Sequence, residues 1–156
     1  MFSVLHRTVL CLAFVALQGV FSFAHAQKAE KKALKSTIQD FFKAFHQSDT
    51  LRLSMLMDQQ LAMQSILIQG ENTRLSTGKR QDFLEAIAKL KGRSFEEKIE
   101  SYKYKVNGAM ANVYMSYQFV LDGQISHSGI NNFTCFKTKD GWCIAHIIDT
   151  RVPNRR

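Results

Sequence analysis

Proline occurs once in 156 residues, cysteine three times and glycine eight times. So little proline and glycine excludes collagen-like and low-complexity disordered chains. Three cysteines with no C-x-x-C pair leave no disulfide scaffold, zinc ribbon or dithiol redox centre. The five histidines are scattered, with none at metal-ligand spacing on one element, so no metal site is expected, and no cofactor is implied. No repeat or low-complexity segment is present, and no helix-turn-helix, RNP-type aromatic motif or finger spacing accompanies the basic residues. What remains is 46% hydrophobic and 22% charged residues, a globular composition with room for one domain.

One long apolar run exists. Met1 to Arg7 carries positive charge and no acid, Thr8 to Phe23 is almost unbroken apolar sequence, and Ala24-His25-Ala26 follows as a small-x-small site. This reads as a secretory signal over residues 1–26, cleaved before Gln27. The run is shorter than the roughly 20 residues a membrane-spanning helix needs, so no stable membrane anchor is expected after cleavage. Cys11 follows Leu10 inside the apolar run, which argues against a lipoprotein. The domain is then residues 27–156, exported to the periplasm or beyond, with a net charge of +7 once Arg7 is removed. Its charges are spread rather than banked. The lysines of 28–35 suit the solvated face of a first helix and Arg151–Arg156 a frayed end, so no nucleic acid is expected as a partner.

The first half of the domain reads as helical. Leu34, Ile38, Phe41, Phe42 and Phe45 recur at three-to-four spacing and form one buried stripe. Ser48 or Asp49 caps a short second helix through Leu51, Leu53 and Leu56. Leu61 to Ile68 reads as a strand, closed by a turn at 69–72. Ser76-Thr-Gly-Lys79 introduces a third helix with Phe83, Leu84, Ile87 and Leu90 inward, and Gly92 suits its left-handed C-cap.

The second half reads as strands: Phe95–Val106, Ala109–Leu121, Gln124–Thr138 and Trp142–Val152. They are joined at Asn107-Gly108, Asp122-Gly123 and Lys139-Asp140-Gly141. Helices followed by a meander of long strands predict an α+β fold, with helices across one face of a bent antiparallel sheet and a pocket between them. Alternation puts Ala111, Val113, Met115, Tyr117 and Phe119 on the core face. On the next strand it groups His127, Gly129, Asn131, Phe133 and Cys135. A two-residue turn at Asp122-Gly123 places Tyr117 opposite Ser128, beside His127. The opposite face, with Tyr114, Val120, Ile130 and Phe136, is apolar enough to predict a homodimer through the outer sheet. A three-residue turn at 139–141 would pair Cys135 with Ala145 and Cys143 with Lys137. The two Cα atoms would then sit roughly 7–8 Å apart on one face, too far for a bridge, and two free buried thiols are expected.

Several stretches together resemble the nuclear-transport-factor-2-like superfamily, and most closely its small, often exported bacterial branch called SnoaL-like or lumazine-binding. They are Phe41-Phe42-Lys-Ala-Phe45-His46, Asp49-Thr50, Asp82-Phe83, Glu96-Glu97-Lys-Ile99-Glu-Ser101, Met110-Ala111-Asn-Val113, Tyr117-Gln-Phe119, His127-Ser-Gly129-Ile-Asn131-Asn-Phe133 and Gly141-Trp142 through Asp149-Thr150-Arg151. The resemblance covers about residues 33–152 and implies a cone open at one end. Its enzymatic members include ketosteroid isomerase, scytalone dehydratase, limonene epoxide hydrolase and polyketide cyclases. They use a carboxylate or histidine in the cone as general acid or base, with Tyr or Asn polarising an oxygen; other members have no catalysis.

Candidates at such places here are His46, Asp49, Glu97, Tyr117, His127, Asn131, Asp149 and Arg151. His127 and Asn131 share a strand face about 13 Å apart and could bracket a ligand. Each also has a structural reading: Tyr117 as a core ring with a bonded hydroxyl, Asp149 and Arg151 as a rim ion pair, His46 on helix-end carbonyls, Glu97 as an edge charge. The sequence-based expectation is an exported protein that binds a small, mostly apolar molecule through His127, Tyr117 and Asn131, with His46, Asp49 and Arg151 as further contacts. The alternatives are an isomerase-, dehydratase- or cyclase-type enzyme with His127 or Glu97 as base, and a dimerising interaction module without catalysis. Asn132-Phe-Thr134 has the spelling of a glycosylation sequon and is read as chance in a bacterial chain.

Overall fold

The stripe of large apolar residues in the first helix sets the architecture. In the computed structural model, which describes residues 27–154, helix α1 occupies 27–46. It buries Leu34, Ile38, Phe41, Phe42 and Phe45 against the sheet. The helix closes where Ser48 takes a left-handed φ of 52°. Asp49 then caps α2 (Thr50–Leu56), its carboxylate accepting the Arg52 N–H at 2.9 Å. The expected signal segment, 1–26, lies outside the described residues. Among those residues no helix is long and apolar enough to cross a membrane.

Six strands follow α1 and α2: β1 (Met57–Gln69), β2 (Asn72–Lys79), β3 (Phe95–Asn107), β4 (Met110–Leu121), β5 (Gln124–Thr138) and β6 (Gly141–Pro153), with α3 (Arg80–Lys89) between β2 and β3. They form one sheet in the order β2-β1-β6-β5-β4-β3. The β3–β6 meander is antiparallel, as the turn signals imply. The sheet as a whole is mixed rather than antiparallel, because β1 lies parallel to β6. No local pattern announces that pairing. It is made across the domain by two strands that share an apolar inner face, Met63 meeting Ile147.

Three further expectations are corrected. Residues 72–79 form a strand, not a turn and helix cap: β2 is exposed along its whole length, so no alternation marks it. Strand β1 begins at Met57, directly after α2, rather than at Leu61. The 139–141 turn is one residue shorter than expected, since Thr138 pairs with Gly141. Cys143 therefore faces Phe136 and Cys135 faces Ile144, which puts the two sulfurs on opposite faces of the sheet. Both are free thiols, Cys135 buried and Cys143 only partly so.

The helices lie across the concave face of the bent sheet. Phe41 meets Phe133 edge-on at 5.1 Å between ring centres, and Phe45 meets Phe95 in the same way at 5.4 Å. Tyr117, Met115 and Val113 complete the core from β4. A cavity remains on this face, lined from β6 by Ile147, Asp149 and Arg151.

Candidate functional site

Strand register builds the cavity's polar end. One cross-strand row carries Glu97, Phe119 and His127, and another carries Met115, Asn131, Asp149 and Ser65. Between them sits Tyr117, paired with Gly129. The sequence-based reading had placed Ser128 there; a bulge at Phe119/Val120 shifts the pairing by one. Period-two alternation then turns all the polar members to the concave side. The cavity measures about 200 Å³ and is walled on its other sides by Phe41, Phe45, Phe83, Phe119, Phe133, Met63, Ile87 and Leu90.

Asp149 is the best-held group. Ser65 Oγ donates to its Oδ1 at 2.5 Å, Arg151 Nε to its Oδ2 at 2.6 Å, and the Tyr117 hydroxyl lies 3.1 Å from Oδ2. The same hydroxyl is 3.0 Å from the Thr150 carbonyl oxygen. It reaches that carbonyl because position 129 has no side chain: a Cβ there would sit 1.8 Å from Thr150 O. Next to it the Ile130 N–H donates to Thr150 Oγ1 instead of to a backbone carbonyl. The β5–β6 ladder is thus locally exchanged for side-chain bonds at the point where the sheet bends around the cavity. Burial and the neighbouring Asp149 push the Tyr117 phenol well above its ordinary value, so it stays a neutral donor.

Glu97 is held differently. Asn131 Nδ2 donates to its Oε1 at 2.5 Å. Glu97 lines the cavity, and its Oε2 has no hydrogen-bond partner among the described residues. Burial raises its carboxyl from 4.5 to about 7; the Asn131 bond opposes this, Asp149 adds to it and Arg151 opposes it. The site therefore holds two unlike carboxyls, one fastened by three donors and one poised near neutrality. His127 packs face-on against Phe119 (5.1 Å) and edge-on against Tyr117 (5.8 Å). Burial, then the Arg151 charge, lowers its pKa, so the imidazole is neutral at pH 7.

Of the residues singled out from sequence, Glu97, Tyr117, His127, Asn131, Asp149 and Arg151 converge on this cavity. His46 and Asp49 do not line it. Asp49 is the α2 cap, and His46 Nε2 accepts the Glu97 N–H at 3.0 Å, holding the start of β3 from behind. Asp149 is not a rim residue: it is 7% exposed, while its ion-pair partner Arg151 remains accessible. Ser65 was missed, since only the parallel β1–β6 register brings it to Asp149. Among the described residues no group of three or more His, Cys, Asp or Glu is arranged to hold a metal ion.

A bent sheet closed by three helices over a part-polar cavity defines the α+β cone. The chain has the NTF2-like, cystatin-like fold: solved structures of that class superpose on it over most of its length. An NTF2-like protein with a cystatin-like fold from Novosphingobium aromaticivorans aligns with a TM-score of 0.67 at 12% identity, covering 86% of this chain and 90% of that one. A protein from Streptomyces avermitilis, described as a proposed dehydratase from the NTF2-like family, aligns at 0.61 and 14% identity, covering 82% and 99%. A domain of unknown function with a cystatin-like fold from Nostoc punctiforme aligns at 0.57 and 16%, covering 81% and 79%. No protein-family model matches the sequence, and no curated protein matches it. The SnoaL-like or lumazine-binding branch is not singled out by these neighbours.

Proposed function

We propose that the chain is an exported protein that binds a small, mostly apolar molecule in the cone. The observation that carries this reading is the cavity itself, five phenylalanines facing one cluster of polar groups. Its size sets the ligand's size: a cavity of roughly 150 Å³ holds benzene, so about 200 Å³ suits a single substituted ring. Export rests on the leader-like composition of residues 1–26, and an intact mass beginning at Gln27 is the expected result for the protein recovered from the periplasm or medium.

The site is tested by plugging it. Ala86 of α3 lines the cavity from an exposed position. Ala86→Phe is expected to abolish retention of a co-purified ligand in native mass spectra while leaving the melting temperature nearly unchanged. Retention at the wild-type level would overturn the reading. His127→Ala is expected to act in the same direction. A large loss of stability with retention intact would instead make His127 structural.

A second reading is favoured by one observation, the Glu97 carboxyl raised to about 7. An acid–base enzyme of the isomerase or dehydratase kind needs such a group facing its substrate. Glu97→Gln would then remove turnover while leaving binding of a neutral ligand. A homodimer through the outer sheet face completes the proposal, on the strength of the apolar residues exposed there.

A further inference from the structure

We propose that the cavity selects small apolar amines: a protonated amino group docks on Glu97 Oε2 while the ligand's ring or short chain fills the phenylalanine pocket. This rests on the reading of the cavity as a ligand site and deepens it to a chemical class.

Three features of the geometry lead there. The Glu97 carboxyl is the one acidic group of the cavity with an oxygen that accepts no hydrogen bond among the described residues. Glu97 lines the cavity; its Oε1 takes the Asn131 amide, and its Oε2 has no hydrogen-bond partner among the described residues. Asp149 is engaged by Ser65, Tyr117 and Arg151. The charge balance points the same way. Asp149 and Arg151 cancel as a close pair, and His127 is neutral at pH 7, so an ionised Glu97 leaves the cavity one negative charge in excess. A buried excess charge is relieved either by a proton or by a cation delivered with the ligand. Finally, the cavity walls are largely aromatic, and phenylalanine faces attract ammonium groups as well as apolar surface. A neutral alcohol would use the same oxygen without relieving the charge. A carboxylate ligand would add a second anion beside Glu97 and Asp149.

The groups facing Glu97 set the pH dependence. They are Tyr117 from β4, His127 from β5, Asp149 and Arg151 from β6, Tyr102 on its own strand, and His46 from α1 behind its amide. α3 presents only apolar side chains to the cavity. None of these brings a second free anion. An aliphatic ammonium stays charged through neutrality, as lysine does. Amine binding should therefore strengthen as pH rises through 7 and Glu97 ionises, and below that range it should release the Glu97 proton.

The experiment compares benzylamine with its neutral isostere benzyl alcohol by calorimetry on the mature protein at about pH 5.5 and about pH 8.5. The expected result is that the amine binds about tenfold or more tightly than the alcohol at the higher pH, with the preference lost at the lower pH. Near pH 6, titrations in two buffers of different ionisation heat should show proton release on amine binding and none on alcohol binding. Glu97→Gln should keep alcohol binding and lose the amine preference, since its amide can present NH₂ where the ammonium would dock. Alcohol bound as tightly as amine at the higher pH, or an amine preference that persists in Glu97→Gln, overturns amine selection and leaves the ligand pocket standing. Should neither probe bind at millimolar concentration, the pocket reading falls and the amine proposal with it. The wild-type pH series and proton release decide the matter even if Glu97→Gln does not fold.

Discussion

Glu97 and Gly129 carry the sharpest consequences at the scale of single residues. A carboxyl whose folded pKa is about 7 against an ordinary 4.5 stabilises the fold fully below 4.5. That contribution is lost as pH rises toward 7, because the folded state must then hold an ionised group it disfavours. The span corresponds to something on the order of 3 kcal/mol. His46 and His127 act in the opposite sense. Their lowered pKa values give stability that is present above 6.5 and lost as pH falls. The two effects oppose each other in wild type, but subtraction isolates the first. Glu97→Gln should be more stable than wild type at pH 8 in urea titrations, with the advantage disappearing by pH 4.5. An advantage of the same size at both pH values would mean that Glu97 is not strained. Gly129 makes a simpler case. Any Cβ collides with the Thr150 backbone, where no flexible side-chain end can yield. Gly129→Ala should cost about 1–3 kcal/mol by overpacking. It should also displace the Tyr117 hydroxyl, which a shifted tyrosine ring resonance in NMR spectra would report. An alanine variant of wild-type stability would show that the strands can separate there freely.

At the scale of elements, α2 shows how a chemically suggestive residue can be structural. The helix has seven residues, too few to persist without help. The Asp49 carboxylate satisfies one of its free N–H groups, and Leu53 buries fully beneath it. Asp49→Ala should lower stability by about 1 kcal/mol in denaturant titrations and leave ligand retention untouched; lost retention at unchanged stability would restore Asp49 to the site. The meander was legible in the sequence because each connection carries glycine and each strand alternates. Tyr117, His127 and Asn131 could be placed on one face for the same reason. The α1 stripe was legible too, since five large residues repeat at helical spacing. What was not legible is whatever depends on partners distant in sequence. β2 has no buried face of its own, so its strand character comes only from pairing with β1. The parallel β1–β6 contact made Ser65 and Asp149 neighbours, and no spacing rule encodes that. The bulge at Phe119/Val120 and the tighter 139–140 turn each moved a register by one, enough to change which face Cys143 takes.

The whole molecule presents two faces of unlike character. The concave face is filled or lined by its own helices. The convex face is open and carries Met110, Tyr114, Val120, Ile125, Ile130, Phe136 and Val152, with Tyr114 46% and Met110 52% exposed. Register puts Met110 beside Phe136 and Val120 beside Ile125, so these residues form paired apolar patches across β4 and β5. A monomeric soluble protein seldom leaves several such patches exposed together on one sheet face. A sheet face covered by an identical sheet face is the isologous arrangement that a two-fold axis provides. Three lysines of this face lie on β3, with Lys98, Lys103 and Lys105 beside Gln118, Tyr114 and Asn112. On β4 and β5, Lys137 lies at the end of its strand and contacts Glu30 of α1. The mature protein is expected to be a dimer by light scattering at micromolar concentrations. Tyr114→Glu together with Ile130→Glu should yield a monomer whose far-ultraviolet circular dichroism is unchanged, because neither side chain belongs to the core. If the wild-type protein is monomeric at high micromolar concentration, the outer face is not a self-association surface. If the double variant remains dimeric, the copies meet elsewhere, and the open edges of β2 and β3 become the surfaces to test next.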